Sequence, residues 1–411
     1  MKPRPALKAR PARAKSVDAV PLLDLHRQYR SIRPEVLAAI DRVCSSQHFI
    51  LGEEVEALER EVAAFTGATD AVGCASGTDA LWLALLAAGV GPGAVVVTTA
   101  FSFFASASAI VRAGARPLFV DIDPQTLNID VVPVESALRE KATRHLAAIL
   151  PVHLYGQCAD MHTVKRVAEE FGVPVVEDAA QAIGAAWHGK RAGSLGAAAA
   201  FSFYPTKNLS AYGEAGLVTT NDRTLAEHMR RLRNHGSSRR YYHEEVGWNS
   251  RLDAIQAAVL RVKLPYLEKW NALRRERAAT YHELFTGAGL ARTTAESGGG
   301  RKASASSVSA ATPIALPCSS PGAHHVFHQY IIRAHRRDHL RKFLADRKIG
   351  TEVYYPLPLH LQTAFAHLGY REGDFPVSER AAREVLALPM FPELTEEEQA
   401  RVVKSIAAFY S

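Results

Sequence analysis

The sequence predicts an α/β protein: a large domain on a mostly parallel sheet, followed by a smaller C-terminal α+β domain. Three observations carry this expectation. From about residue 68, short β-rich runs alternate with helical patterns, the rhythm of strands joined by crossover helices. Of 411 residues, 47% are hydrophobic and 22% charged, the composition of a globular chain large enough for two domains. A charged, periodic stretch beginning near residue 267 then separates that alternation from a shorter second set of elements.

Taken in order, the first predicted strand is Asp70–Cys74, with a helix from Thr78. Next come a strand over Val95–Thr99, which reads VVVTT, a helix from Ser102, and a strand over Pro117–Asp121. Ala147–His153, a helix over Met161–Phe171, and strands over Val173–Glu177, Ala200–Phe203 and Leu217–Thr220 continue the pattern. The large domain is thus placed at 21–265. Leu267–Leu284 is periodic enough for a long connecting helix. The small domain, within 266–411, is expected to hold strands at Val326–Arg333 and Gly350–Tyr354. Its helices are expected near Asp338–Asp346, Ser378–Leu386 and Thr395–Phe409. Between the connecting helix and these strands, residues 292–322 are rich in Ser, Ala, Gly and Thr (GGGRKASASSVSAATP). Such a stretch buries too little surface to offset its ordering entropy and reads as a disordered or mobile insertion.

Charge and cysteine usage exclude several classes. The formal charge is +7, but Lys2, Arg4, Lys8, Arg10, Arg13 and Lys15 all precede the first acid, Asp18. Without that tail the body is nearly neutral, which argues against a broad nucleic-acid face. Residues 1–20 carry Pro3, Pro5 and Pro11 and no apolar core, so they read as a disordered basic tail, not a signal or transit helix. Leu81–Val90, a wholly apolar run, is too short for a membrane span. Cys44, Cys74, Cys158 and Cys318 form neither a disulfide framework nor a CxxC pair. A cytoplasmic protein that binds neither nucleic acid nor membrane is expected.

Three stretches carry chemistry. In PVVEDAAQA (174–182) an apolar strand ends in Glu177 and Asp178, and open parallel sheets bind ligands outside the carboxyl ends of their strands. Alone, Asp178 reads more readily as a solvated turn or helix cap. In AFSFYPTKNLSAYGEAG (200–216), Lys207 lies just beyond a short strand among Ser202, Thr206 and Ser210, a setting in which a lysine can form a Schiff base with an aldehyde. Alone, it reads as a surface lysine. In ASGTDALWLALLAAG (75–89), Ser76, Gly77 and Thr78 open a helix whose unsatisfied N–H groups and positive dipole end suit a phosphate. The alternative is a plain cap by Ser76 or Thr78. Neither a Walker GK[ST] nor a GxGxxG fingerprint is present.

An acid, a Schiff-base lysine and a phosphate cradle on one sheet together describe a site for pyridoxal 5′-phosphate (PLP). With SGTDAL, DAAQA, FSFYPTKNL and GWNSRLDAIQAAVL in order, the chain resembles the DegT/DnrJ/EryC1/StrS sugar aminotransferases, PLP-dependent transferases of fold type I. The likeness runs from about Pro21 through YPLPLHLQ to LPMFPELT, leaving out the basic tail and the insertion. It implies a seven-stranded-type sheet and a role for each matching residue. Lys207 would hold PLP covalently and then shuttle a proton. Asp178 would keep the pyridine nitrogen protonated so that the ring can accept electrons. Gln181 would donate to the cofactor's phenolic oxygen, and Phe103 would stack on the ring, with core packing as the alternative reading of Phe103. Phe101 and Phe104 read as core. Gly77, Thr78 and Ser202 would bind the phosphate from one subunit and Asn249 from its neighbour, so that a homodimer shares its active sites. The apolar helix Leu252–Leu264 would belong to that interface or pack within the chain. Tyr354, Tyr355 and His360 resemble small-domain residues that face substrate.

The clustered His324, His325 and His328 lack an accompanying Cys or acid set, so no metal site is expected. The resemblance implies ping-pong transfer of an amino group from glutamate or glutamine to a keto group on a nucleotide-activated sugar. Within the family, Tyr204 and Asn208 around the lysine resemble the enzymes that act on 3-keto rather than 4-keto sugars. The competing readings are a keto-cyclitol aminotransferase and a PLP-binding regulator whose basic arm contacts DNA.

Overall fold

The computed structural model describes residues 19–132, 135, 138, 145–291 and 308–411. Most of the basic tail and residues 292–307 of the expected insertion therefore lie outside the described residues.

The large domain is organised by β1 (Asp70–Cys74), β2 (Val95–Thr99), β3 (Arg116–Val120), β4 (Leu146–Leu150) and β5 (Val176–Asp178). A small hairpin of β6 (Ala186–Trp187) and β7 (Lys190–Arg191) precedes β8 (Ala198–Ser202) and β9 (Gly216–Thr220). Four strands run in the order β1-β9-β8-β5 and three in the order β3-β2-β4. Parallel bridges Ile149↔Val175 and Val152↔Asp178 join the two groups. The result is one sheet ordered β1-β9-β8-β5-β4-β2-β3, in which β9 alone is antiparallel to its neighbours. Apolar clusters cover both faces. One centres on Leu58, Phe201, Phe203 and Leu217, the other on Trp82, Leu83, Val96 and Val218, as a doubly covered parallel sheet requires. This is the seven-stranded sheet that the resemblance implied.

The connecting helix spans Leu267–Gly287. Beyond it, β10 (Ile314–Ala315), β12 (Tyr330–Ala334) and β13 (Val385–Leu388) form an antiparallel sheet, while β11 (Ala323–His324) pairs with β6. Helices Arg337–Asp346, Pro376–Glu384 and Glu396–Tyr410 accompany the small sheet. The last begins with a capping box, Thr395 with Glu398.

Several expectations need correction. Residues 308–322, assigned by composition to a mobile insertion, are placed: Ile314 is buried and pairs with Ala334. Val20, assigned to the tail, is buried and bridges Ile349, so the first described residues pack on the small-domain core. The expected helix over Ser378–Leu386 ends at Glu384, because the wholly buried Val385–Leu388 turns into a strand. Gly350–Tyr354 contributes only the bridge Glu352↔Ala387. Helix Ala254–Lys263 packs inside the chain, against Ile32, Val36, Ala39 and Val43 of helix Leu25–Ser46. Among the described residues no helix is long and apolar enough to cross a membrane.

Candidate active site

Topology gathers the chemically interesting residues at the carboxyl edge of the sheet. Asp178 ends β5, Ser202 ends β8, Gly77 opens the helix three residues beyond β1, and Phe103 follows β2. Asp178 is buried, and its main chain is tied to the segment that follows β4, its N–H donating to Pro151 O (2.9 Å) while its carbonyl accepts from His153 N (2.9 Å). Its Oδ2 accepts from Ser106 Oγ at 2.7 Å and Oδ1 from Ala180 N at 3.2 Å. Burial raises the carboxyl's proton affinity, opposed by these hydrogen bonds and by the positive charge of Lys207. Lys207 is half-buried, and desolvation lowers its amine to about 8, with the Asp178 charge acting in the opposite sense. Opposed groups with displaced proton affinities are what acid–base chemistry near neutrality needs.

The neighbouring acid has a different task. Glu177 is fully buried and accepts from the N–H groups of Gly193, Leu195 and Gly196 and from His153 Nε2 (2.9 Å). Because Ala159 N donates to His153 Nδ1, the imidazole proton sits on Nε2. Glu177 is thus satisfied structurally and faces away from the chemistry of Asp178.

Gly77 is the first residue of its helix, capped by Ser76, whose Oγ accepts from Asp79 N at 3.1 Å. The cap and the cradle coexist, since the N–H groups of Gly77 and Thr78 have no acceptor within the helix. A side chain at position 77 would sit 2.5 Å from Ser202 Cβ and 2.9 Å from its Oγ. The helix can reach the end of β8 only because Gly77 has no Cβ. Gly216 permits the same approach on β9, where a Cβ would lie 2.1 Å from Ser76 O. Replacing Gly77 with alanine should therefore cost about 1–3 kcal/mol through overpacking, read as a lower urea midpoint of the protein without cofactor, together with weaker PLP retention.

The remaining predicted residues fall into two groups. Phe103 is 55% exposed, unusual for a phenylalanine and suited to a ring that stacks on a ligand. Phe101 is buried as expected, whereas Phe104 is partly exposed and stacks on Phe365. Gln181 is buried, its Oε1 accepting from Tyr155 N at 2.6 Å and its Nε2 donating to Tyr355 Oη at 3.1 Å. Tyr155 Oη in turn donates to the Tyr354 carbonyl, so Tyr354 and Tyr355 of the small domain are fastened to the β5 end. His360 is not brought there. It is 1% exposed, its Nε2 lies 3.1 Å from Glu379 Oε1 and its ring packs on Phe375. Asn249 is exposed, accepts from Arg251 Nε at 3.1 Å, and has no hydrogen bond to Lys207 or Asp178 among the described residues. Asn208 turns inward and is buried. His325 stacks on Phe327, and among the described residues no group of three or more His, Cys, Asp or Glu could hold a metal.

Ser106 escaped the sequence reading. Its signal was present in the spacing of four between Ser102 and Ser106, whose hydroxyls lie 2.9 Å apart, but only the fold brings them to Asp178.

These residues fit PLP on the structure's own terms: a glycine-only cradle with two open N–H groups beside a hydroxyl, an exposed aromatic face, a buried carboxylate and an amine of lowered proton affinity. Comparisons with known proteins agree. Residues 30–407 match the model of the DegT/DnrJ/EryC1/StrS aminotransferase family. A pleiotropic regulatory protein of Geobacillus stearothermophilus is 52% identical over 95% of this chain and 98% of its own. UDP-N-acetyl-3-dehydro-alpha-D-glucosamine 3-aminotransferase of Acidithiobacillus ferrooxidans is 42% identical over 94% and 97%. The crystal structure of S. venezuelae DesV in complex with a ketimine intermediate superposes with a TM-score of 0.87 at 41% identity, covering 96% of this chain and 99% of that one. The chain belongs to the DegT/DnrJ/EryC1/StrS aminotransferase family and is a PLP-dependent aminotransferase.

Proposed function

We propose that this enzyme transfers an amino group from glutamate, or less favourably glutamine, to the keto group of a nucleotide-activated 3-keto sugar, working as a homodimer with shared sites. The observation that carries the chemistry is the opposition of Lys207 to the buried Asp178 at one sheet edge, beside the cradle of Gly77, Thr78 and Ser202. The Acidithiobacillus relative, named for a UDP-linked 3-keto substrate, supports the regiochemistry, as does the exposed Tyr204 beside Lys207.

When bound, PLP supplies an aldehyde for exchange with amines and a ring that withdraws electrons from the carbon losing its proton. The chain's residues do the rest. Gly77 N–H, Thr78 and the Ser202 hydroxyl would hold the phosphate, and Phe103 would stack on the ring. The negative charge of the Asp178 carboxylate would favour a proton on the ring nitrogen, and Gln181 would orient the ring through its amide. Lys207 Nζ would be the covalent anchor for the aldehyde and, as a free amine, would carry a proton to and from the substrate carbon. Tyr354 and Tyr355 close the small-domain side toward the sugar.

Exposed Leu25, Leu37, Phe49 and Ile50, together with Tyr212 five residues from Lys207, support an apolar subunit contact close to the site. In that dimer Asn249 completes the phosphate cup of the neighbouring subunit. Asn249→Ala should weaken PLP binding by about 1.5–3 kcal/mol, the worth of a hydrogen bond to a charged acceptor. Mixing Lys207→Ala with Asn249→Ala subunits should restore activity, because one site of each mixed dimer carries both defects and the other neither. Verified heterodimers without recovery would refute the shared site.

The functional assay is release of 2-oxoglutarate from glutamate in the presence of a panel of nucleotide-linked 3-keto and 4-keto sugars and keto-cyclitols. Turnover with a cyclitol alone would replace the substrate class. Absence of turnover, with salt-sensitive DNA binding lost on deleting residues 1–18, would favour the regulatory reading that the Geobacillus relative's name suggests.

A further inference from the structure

We propose that His328 is a positioning residue for Lys207: a directed chain of hydrogen bonds from its imidazole through Asn208 and Asn271 to the Ile183 carbonyl fixes the loop that carries the reactive amine. The inference rests on the reading of Lys207 as that amine and extends it to residues outside the site.

The chain's direction follows from its ends. Asn271, on the connecting helix, is 1% exposed, and its Nδ2 lies 3.1 Å from Ile183 O. A carbonyl only accepts, so this end of the Asn271 amide must be the NH₂ group and its Oδ1 must accept. The donor to that oxygen is Asn208 Nδ2 at 2.8 Å, which also reaches Val326 O at 3.3 Å. Asn208 Oδ1 is therefore the acceptor facing His328 Nδ1 at 3.1 Å. His328 must carry its proton on Nδ1 and leave Nε2 with a lone pair, and Nε2 has no hydrogen-bond partner among the described residues. Burial, followed by the positive charges of Lys207 and Arg274, holds this imidazole neutral. Its main chain is held as well, because Arg274 Nη1 donates to the carbonyls of Phe327, His328 and Met390.

Four pieces of the molecule meet in this chain: the loop after β8, the connecting helix, the turn after Asp178 and Gln181, and the segment leading into β12. Gly184 makes room for it, since a Cβ there would lie 2.5 Å from Asn271 Nδ2. Asn208 is the residue immediately after Lys207, so a fixed Asn208 side chain fixes the backbone from which the amine projects. The titratable groups facing Lys207 are Asp178 and the neutral His328, and the charged groups facing His328 are Lys207 and Arg274. With the loop held, the amine stays partly shielded from water with a lowered proton affinity. With the loop released, the ammonium gains water and its proton affinity rises. Buried amides that lose a partner are costly, so the chain acts as a unit.

The test uses the full-length protein without cofactor. Lys207 is labelled by formaldehyde and cyanoborohydride across a pH series, and the rate at that residue is read by peptide mass spectrometry. The wild-type rate should have its midpoint at about 8. His328→Leu should raise the midpoint by one unit or more, so that labelling at pH 7 falls by about tenfold or more. His328→Asn places an amide N–H where Nδ1 was and should keep the wild-type midpoint. Circular dichroism reports folding, and if His328→Leu does not fold, Asn271→Ala breaks the same chain one link further on and should give the same rise. An unmoved midpoint in the folded chain-breaking variant, or an equal rise in His328→Asn, overturns the inference. Borohydride reduction of the PLP-loaded wild type keeps the two readings apart, because a pyridoxyl group on another lysine removes Lys207 itself.

Discussion

Lys207→Ala should reduce transamination by about 10³-fold or more while leaving the fold intact. Proton transfer by a positioned side chain contributes about 10²–10⁴-fold, and this residue is also the covalent anchor. Borohydride reduction of the wild type followed by mass spectrometry should place the pyridoxyl group on Lys207, and the variant should retain PLP only through the phosphate contacts. The pH dependence has a definite sign. Only the free amine attacks an aldehyde, and burial lowers this amine to about 8, so PLP uptake should slow as pH falls through that value. Lys263 is the informative rival. Burial lowers it to about 7, but it is 1% exposed, and its Nζ is spent on Ser210 O (2.8 Å) and Ser210 Oγ (3.0 Å). A pyridoxyl group on Lys263 would refute the assignment.

Asp178→Asn should cost about 10²–10³-fold in turnover, the scale of removing one electrostatic group aimed at developing charge, with PLP binding changed far less. Asparagine keeps the size of the side chain and can still accept from Ser106, while its amide N–H can donate to an unprotonated ring nitrogen. The contact survives and the ring proton is lost. Comparing kcat with the PLP dissociation constant separates the two effects. Wild-type turnover in the variant would exclude the electronic role, and a collapse of affinity without a fall in kcat at saturating PLP would recast Asp178 as a binding residue.

The sequence by itself determined the alternation of strands and helices, because periodicity and β-branched runs such as VVVTT at 95–99 report on local backbone preference. It also marked Asp178, Lys207 and the Ser76–Gly77–Thr78 turn as candidates, since each lies at or just beyond the end of a strand and the carboxyl ends of parallel strands share one edge. What it could not contain was pairing between distant residues. Val20 meets Ile349, Ile314 meets Ala334, and Val385–Leu388 becomes a strand beside β12, although its local pattern continues a helix. The directions of loop side chains were equally hidden. His360 turns to Glu379, Asn208 turns to His328, and Ser106 reaches Asp178 across 72 positions. Only the tertiary structure decided these, because a buried polar group takes whichever partner the packed chain brings within hydrogen-bonding distance, and no local window of sequence holds both partners.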